Sequence, residues 1–213
     1  MPEQGHDLAP DVDDTYRQAS LHLAAQDADW ARQIAAIGPC RHRATVHREP
    51  FEALVRSVAY QQLHARAAEA ILGRLLALFP DVAFPSAEAL LATDPQRLRA
   101  CGFSARKLAT LHALAEARLT GQVPTQQQAQ ALTDDALVAR LVTLPGIGRW
   151  TVEMLLIYGL GRLDVLPVDD YGVREGYRRL KGLDKAPTPA QMRALGQAWR
   201  PYRTIAAWYL WRA

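Results

Sequence analysis

Two short stretches carry residues whose types and spacing suit chemistry. The first is LPGIGRWTVE, residues 144–153, where Pro145, Gly146 and Gly148 interrupt a helical pattern that resumes at Arg149. Glycines let backbone N–H groups come close to an outside group, and both Gly146 and Gly148 are expected at positive φ. N–H groups at the start of a helix favour an anion, because the unsatisfied donors and the helix dipole act together. Gly146, Ile147, Gly148 and Arg149 thus form a candidate phosphate-binding turn; the plain alternative is an ordinary turn between two helices. The second stretch is LPVDDYGVR, residues 166–174, with Asp169 and Asp170 ahead of a helical run. Aspartate is ionised at neutral pH. A fixed carboxylate stabilises a developing cation and orients or deprotonates water. Capping the next helix is the bland role for either aspartate.

The frame that must position these stretches reads as helical nearly throughout, and the fold class is all-α. DTYRQASLHLAAQDADWARQIAAIG reads as one or two helices ending at Gly38. Residues 50–79 open with a proline suited to a first helical turn and repeat apolar residues at helical spacing. That run is too long for one straight helix, and QQLHAR marks its break. Ser86, Asp94, Ser104, Thr133 and Thr188 are expected N-caps, and Gly121 an expected stop. Residues 134–143 and 149–160 are the helices expected on either side of the turn. LDVLPVD is the only strand-like piece.

Composition narrows the class of protein. The 213 residues suffice for a sizeable core, and 49% hydrophobic with 22% charged residues is ordinary for a globular chain. No apolar run approaches the ~18 residues of a membrane span. The polar, acidic start, residues 1–14, reads as a disordered lead-in without the layout of a secretory signal. Cys40 and Cys101 form neither a metal-spaced cluster nor a disulfide framework, which suits a reducing cytoplasm. His6, His22, His42, His47 and His112 show no metal spacing and read as solvated or structural. Lysine occurs only at Lys107, Lys181 and Lys185. Arginine suits phosphate, although a GC-rich genome explains the bias equally simply. Arg66, Arg74, Arg97, Arg99, Arg106 and Lys107 make a basic middle that is expected to form a positive face.

Asp170 stands 170 − 150 = 20 residues after Trp150. With this spacing after a LPGIGRWT hairpin, the sequence resembles the helix-hairpin-helix, Gly/Pro-rich, Asp superfamily of base-excision DNA glycosylases. More narrowly, it resembles the 3-methyladenine DNA glycosylase II branch. YQQLHARAAEAILGRL (60–75), GFSARKLATLHALA (102–115) and WRPYRTIAAWYLWR (199–212) extend the likeness over roughly residues 20–213. The resemblance implies a helix-hairpin-helix glycosylase fold in the compact form that lacks an N-terminal β domain, with two helical lobes flanking a DNA cleft. Residues 15–49 plus 163–213 would make the lobe carrying the catalytic aspartate, and 50–162 a bundle ending in the hairpin.

The same resemblance implies roles. Asp170 is the catalytic carboxylate and Asp169 a supporting residue. Trp150 stands where bifunctional relatives place a Schiff-base lysine, so a monofunctional hydrolase without lyase activity is expected. Trp150, Trp211, Met154 and Tyr60 form the base pocket, Met154 replacing a frequent aromatic. Trp208 and Tyr209 are further pocket candidates, but core is preferred for both and for Trp199. His64 is the wedge that fills the gap left by a flipped base, followed by Leu63 and Gln62; Gln61 and Gln62 could equally be capping or buried polar residues. The backbone carbonyls of Val142, Leu144 and Ile147 match a monovalent cation site for Na+ or K+. No other cofactor is implied, and no cysteine follows Cys101 to hold the iron–sulfur cluster of some relatives. The expected partner is double-stranded DNA containing N-alkylated, cationic purines such as 3-methyladenine, flipped out for excision. A monomer without membrane contact is expected, in the cytoplasm of a bacterium and associated with its nucleoid. Two other readings are a glycosylase for deaminated or otherwise modified bases and a non-catalytic helix-hairpin-helix DNA-binding protein. An aspartate in register with the hairpin argues against the last.

Overall fold

The computed structural model describes residues 12–213, and every regular element among them is helical. α1 (Val12–Ala24) and α2 (Ala28–Ile37) open the chain. α3 (Pro50–Tyr60), α4 (Ala65–Ala77), α5 (Ala87–Ala92), α6 (Pro95–Ala100), α7 (Ala105–Leu119), α8 (Gln126–Ala131), α9 (Asp134–Leu141) and α10 (Arg149–Met154) follow. α11 (Tyr171–Leu180), α12 (Pro189–Leu195) and α13 (Arg203–Leu210) close it. Among the described residues no helix is long and apolar enough to cross a membrane.

Local chemistry sets most boundaries. Ser86, Asp94, Ser104, Thr133 and Thr188 each accept a backbone N–H at the start of a helix, relieving one of its orphan donors. The long apolar run breaks at QQLHAR, between α3 and α4. Four expectations change. Residues 12–14 belong to α1 and not to a lead-in, because Tyr16, Ala19 and Leu23 bury one helical face and Asp14 pairs with Arg17 at its start; residues 1–11 of that lead-in lie outside the described residues. LDVLPVD forms no strand, since its polar groups find side chains instead: Val165 N–H donates to Thr204 Oγ1 at 3.1 Å. The helix expected over 149–160 is α-helical only to Met154 and widens to a π-helical turn at Leu155–Gly159. α8 was not expected; its QQQAQA has no apolar stripe, and Thr125 and Gln128 start it with a reciprocal capping box.

The chain divides into two compact units, one of residues up to Arg43 with Leu163–Ala213, the other Ala44–Arg162. The first boundary lies ahead of the expected residue 50. Thr45 N–H donates to Tyr158 O at 2.7 Å and Gln126 Nε2 to Val46 O at 2.6 Å, tying the segment before α3 into the second unit. The core of the first unit gathers Leu23, Trp30, Tyr177, Trp199, Trp208 and Tyr209. Trp30 meets Trp199 edge-on at 5.3 Å, and the Tyr209 hydroxyl donates to Gly38 O at 3.1 Å. Trp199, Trp208 and Tyr209 are therefore core residues, and His42 is buried near the Tyr16 ring. The core of the second unit is built from Leu54, Val58, Leu75, Leu111, Leu114, Leu137, Leu141 and Val152.

Candidate active site

In the second unit, α9 and α10 flank the turn. Gly146 has φ +76°, and a Cβ there would collide with the Thr110 hydroxyl on α7. Only glycine fits. Ile147 is buried, and its N–H closes the turn onto Leu144 O at 3.1 Å. Gly148 departs from expectation: its φ is −92°, an extended N-cap conformation open to any residue, and a Cβ there would meet nothing within 4 Å. The fold does not require this glycine, whereas close approach of an outside group would. Arg149 is half exposed and donates from Nε to the buried Glu153 at 3.1 Å. The carbonyls of Val142, Leu144 and Ile147 lie on this turn. Val142 caps α9, where helix carbonyls lack partners, and Leu144 O spends one of its two lone pairs on Ile147 N–H. Such oxygen donors fit a hard cation.

The loop between α3 and α4 presents Gln62, Leu63 and His64 to solvent. Gln62 has φ +56°, the only positive φ of a non-glycine among the described residues. His64 is the N-cap residue of α4, yet its side chain makes no capping bond. The Gln61 carboxamide is engaged, donating to Gly146 O at 3.2 Å and to Thr151 Oγ1 at 3.1 Å. Beneath the loop, Lys107 Nζ donates to Ala59 O at 2.9 Å and Gln61 O at 2.8 Å. Burial pushes the Lys107 pKa down. Lys107 is thus drawn out of the expected positive face by the bare carbonyls at the end of α3, whereas Arg74 donates from Nε to Cys101 O at 2.8 Å and is still exposed. Arg66, Arg97, Arg99 and Arg106 stay exposed.

Tyr60 of α3 and Trp150 and Met154 of α10 line one cavity of about 550 Å³. Trp150 and Met154 are four residues apart and so share a helix face. Thr45, Arg48, Ala53, Arg56, Ser57, Tyr158 and Gly159 complete the lining, and sequence reasoning missed them. Arg48 and Arg56 share the Glu52 carboxylate, with Nε to Oε1 distances of 3.1 and 2.8 Å. The alternation of Arg48, Glu52 and Arg56 at four-residue spacing was the signal available for them. Tyr158 reaches the cavity through the π-helical turn, which helical periodicity does not predict.

The fourth expected pocket residue, Trp211, lies in the first unit with Asp170. Asp170 caps α11: its Oδ1 accepts Val173 N–H at 2.8 Å. The same oxygen accepts Trp211 Nε1–H at 2.9 Å. Gly172 makes room, because a Cβ there would stand 2.9 Å from the Trp211 ring and 3.1 Å from Oδ1. The loop leading to Asp170 is anchored on α13, where Arg203 binds Asp164 with Nε to Oδ1 at 2.6 Å and Thr204 takes Val165 N–H. One helix therefore fixes the start of the loop and, through Trp211, its carboxylate end. Asp169 is exposed.

Comparison with known proteins shows the family and the fold. Residues 55–201 match the HhH-GPD superfamily base excision DNA repair proteins. The chain is 44% identical over 196 residues to DNA-3-methyladenine glycosylase 1 of Schizosaccharomyces pombe, covering 92% of this chain and 86% of that protein. It is 33% identical over 201 residues to the alkylbase DNA glycosidase-like protein mag2 of the same organism, covering 94% of each. A solved structure of a 3-methyladenine DNA glycosylase of that organism in complex with abasic DNA aligns with a TM-score of 0.87 at 44% identity, covering 92% of this chain and 95% of that one. A glycine turn between α9 and α10, followed by a carboxylate held at the head of α11, is thus set in a chain that belongs to the HhH-GPD superfamily of base excision DNA repair proteins.

Proposed function

We propose that this protein is a monofunctional DNA glycosylase. It flips N-alkylated, cationic purines such as 3-methyladenine out of duplex DNA, hydrolyses the N-glycosidic bond and leaves an abasic site for base excision repair. The observation that carries this reading is the cavity lined by Tyr60, Trp150 and Met154. A flat cationic base over a desolvated tryptophan face gains about 1–2 kcal/mol that the neutral parent base does not. Alkylation has also made the base a good leaving group, so no strong general acid is needed.

As the bond from C1′ to the base nitrogen breaks, its electron pair leaves with the base and positive charge develops on the sugar. The Asp170 carboxylate, already oriented by Val173 N–H and Trp211 Nε1–H, stabilises that charge without reorganising. It also orients or deprotonates the water whose oxygen bonds to C1′. Trp150 offers no amine for a Schiff base, so the strand stays intact. The backbone N–H groups of Gly146, Gly148 and Arg149 hold a phosphate and so position the duplex without reading sequence, while Ile147 N–H is spent closing the turn onto Leu144 O. Na+ or K+ bound by the carbonyls of Val142, Leu144 and Ile147 would supply positive charge to that phosphate. His64, with Leu63 and Gln62, fills the space left by the flipped base. The protein works as a monomer, on the chromosomal DNA of a bacterial cytoplasm.

The test is base release from methylated duplex DNA, with free bases separated chromatographically and strand integrity read before and after alkali. Free methylpurine with breaks only after alkali is expected. DNA binding with no release of any methylated base would overturn the proposal.

A further inference from the structure

We infer that Gln61 is a positioning residue that locks the wedge loop to the phosphate-binding turn, so that phosphate contact and wedge insertion occur as one event. The inference rests on the proposed glycosylase function. Two elements of the second unit that would touch DNA are far apart in sequence, and the Gln61 carboxamide joins them. Its Nε2 donates to Gly146 O, 85 residues away, and to Thr151 Oγ1, 90 residues away. The first bond lands on the reversal of the turn, at the glycine seated against Thr110. The second lands on a buried threonine in the first turn of α10. The carboxamide therefore grips both the turn and the helix behind it.

The other side of Gln61 is equally fixed. Its own carbonyl, with that of Ala59, is held by Lys107 Nζ. The next residue, Gln62, sits at φ +56°, where a non-glycine side chain stays only when its surroundings impose it. Beyond it come the exposed Leu63 and His64. The last fixed point before the wedge is thus Gln61, and what fixes its side chain is the phosphate-binding turn. Both bonds use the amide as donor, so glutamate cannot replace it, and methionine keeps its bulk but makes neither bond.

The experiment is a double-mutant cycle on the full chain. Single-turnover release of methylpurine from duplex is measured for wild type, Gln61→Met, His64→Ala and the double variant. Duplex affinity and thermal midpoint are measured for each, and Gln61→Ala is a second variant at the same position. Gln61→Met is expected to lower release about tenfold while duplex affinity changes little. In the His64→Ala background the same substitution should cost nothing further, because the residue acts through the wedge. A loss that adds in full to that of His64→Ala, or that tracks the thermal midpoint, makes Gln61 merely structural and overturns the inference. So does release equal to wild type. If wild type itself releases no base, the glycosylase reading fails and the inference with it.

Discussion

Asp170 performs two tasks through one oxygen, and substitution can separate them. Its Oδ1 caps α11 through Val173 N–H at 2.8 Å and holds Trp211 Nε1–H at 2.9 Å. Alanine removes both bonds: about 1 kcal/mol for the cap and about 1.5–3 kcal/mol for a hydrogen bond to a charged acceptor. For a chain of this size that is a fall of roughly 5–16 °C in thermal midpoint. Asparagine keeps an acceptor oxygen in place and is as good an N-cap, so Asp170→Asn should stay within about 0.5 kcal/mol of wild type. Only the charge is lost. If that charge faces the developing sugar cation, release of methylpurine should fall by a factor of about 10² to 10³ or more. Single-turnover release on methylated duplex, with thermal unfolding and abasic-duplex binding measured in parallel, reads both quantities. The reasoning is refuted if Asp170→Asn releases base within about threefold of wild type, or if its activity loss merely follows a loss of stability equal to that of Asp170→Ala.

The glycines of the turn should separate in the same manner. Gly146→Ala should lower the thermal midpoint, because it forces a side chain onto a φ of +76° and against Thr110. Gly148→Ser, with open space for its side chain and a good capping residue in place of glycine, should leave the midpoint unchanged and weaken duplex binding in a fluorescence titration. Trp150→Ala should lower kcat/KM for a cationic methylpurine about 5- to 30-fold and for neutral hypoxanthine much less, as measured by chromatographic release. Cys40 gives a pH test: burial raises its thiol from 9.0 to about 11, so the folded state keeps a proton that the unfolded state gives up. Its contribution to stability is therefore complete below pH 9 and lost as the pH rises through about 11. Thermal unfolding followed over that range should fall less steeply for Cys40→Ala than for wild type.

Helix starts were legible because they depend on one residue and the N–H groups just after it. Ser86, Ser104, Thr133 and Thr188 cap helices for reasons local to four residues. The cavity was half legible. Trp150 and Met154 share a face by helical spacing, whereas Thr45 and Arg48 arrive from a loop whose path is set by Thr45 N–H on Tyr158 O and Gln126 on Val46 O. Those bonds span most of the second unit, and nothing periodic announces them. Lys107 departs from the charged face that a cation near other cations suggests. Its place was decided by the unsatisfied carbonyls at the end of α3, a demand visible only once α3 and α7 lie side by side.

The two glycines of LPGIG look alike in sequence and differ in origin. Gly146 answers to the protein: positive φ and the Thr110 hydroxyl exclude every other residue whether or not DNA ever binds. Gly148 answers to nothing inside the protein, having ordinary backbone and empty space where a side chain would stand. At Asp170 the capping and Trp211 bonds both use one acceptor oxygen, Oδ1, as the fold's demand on that position. Serine, threonine or asparagine would cap α11 as well. What the fold leaves unexplained at Gly148 is what a close phosphate would require, bare backbone, while the negative charge of Asp170 is what a developing sugar cation would require.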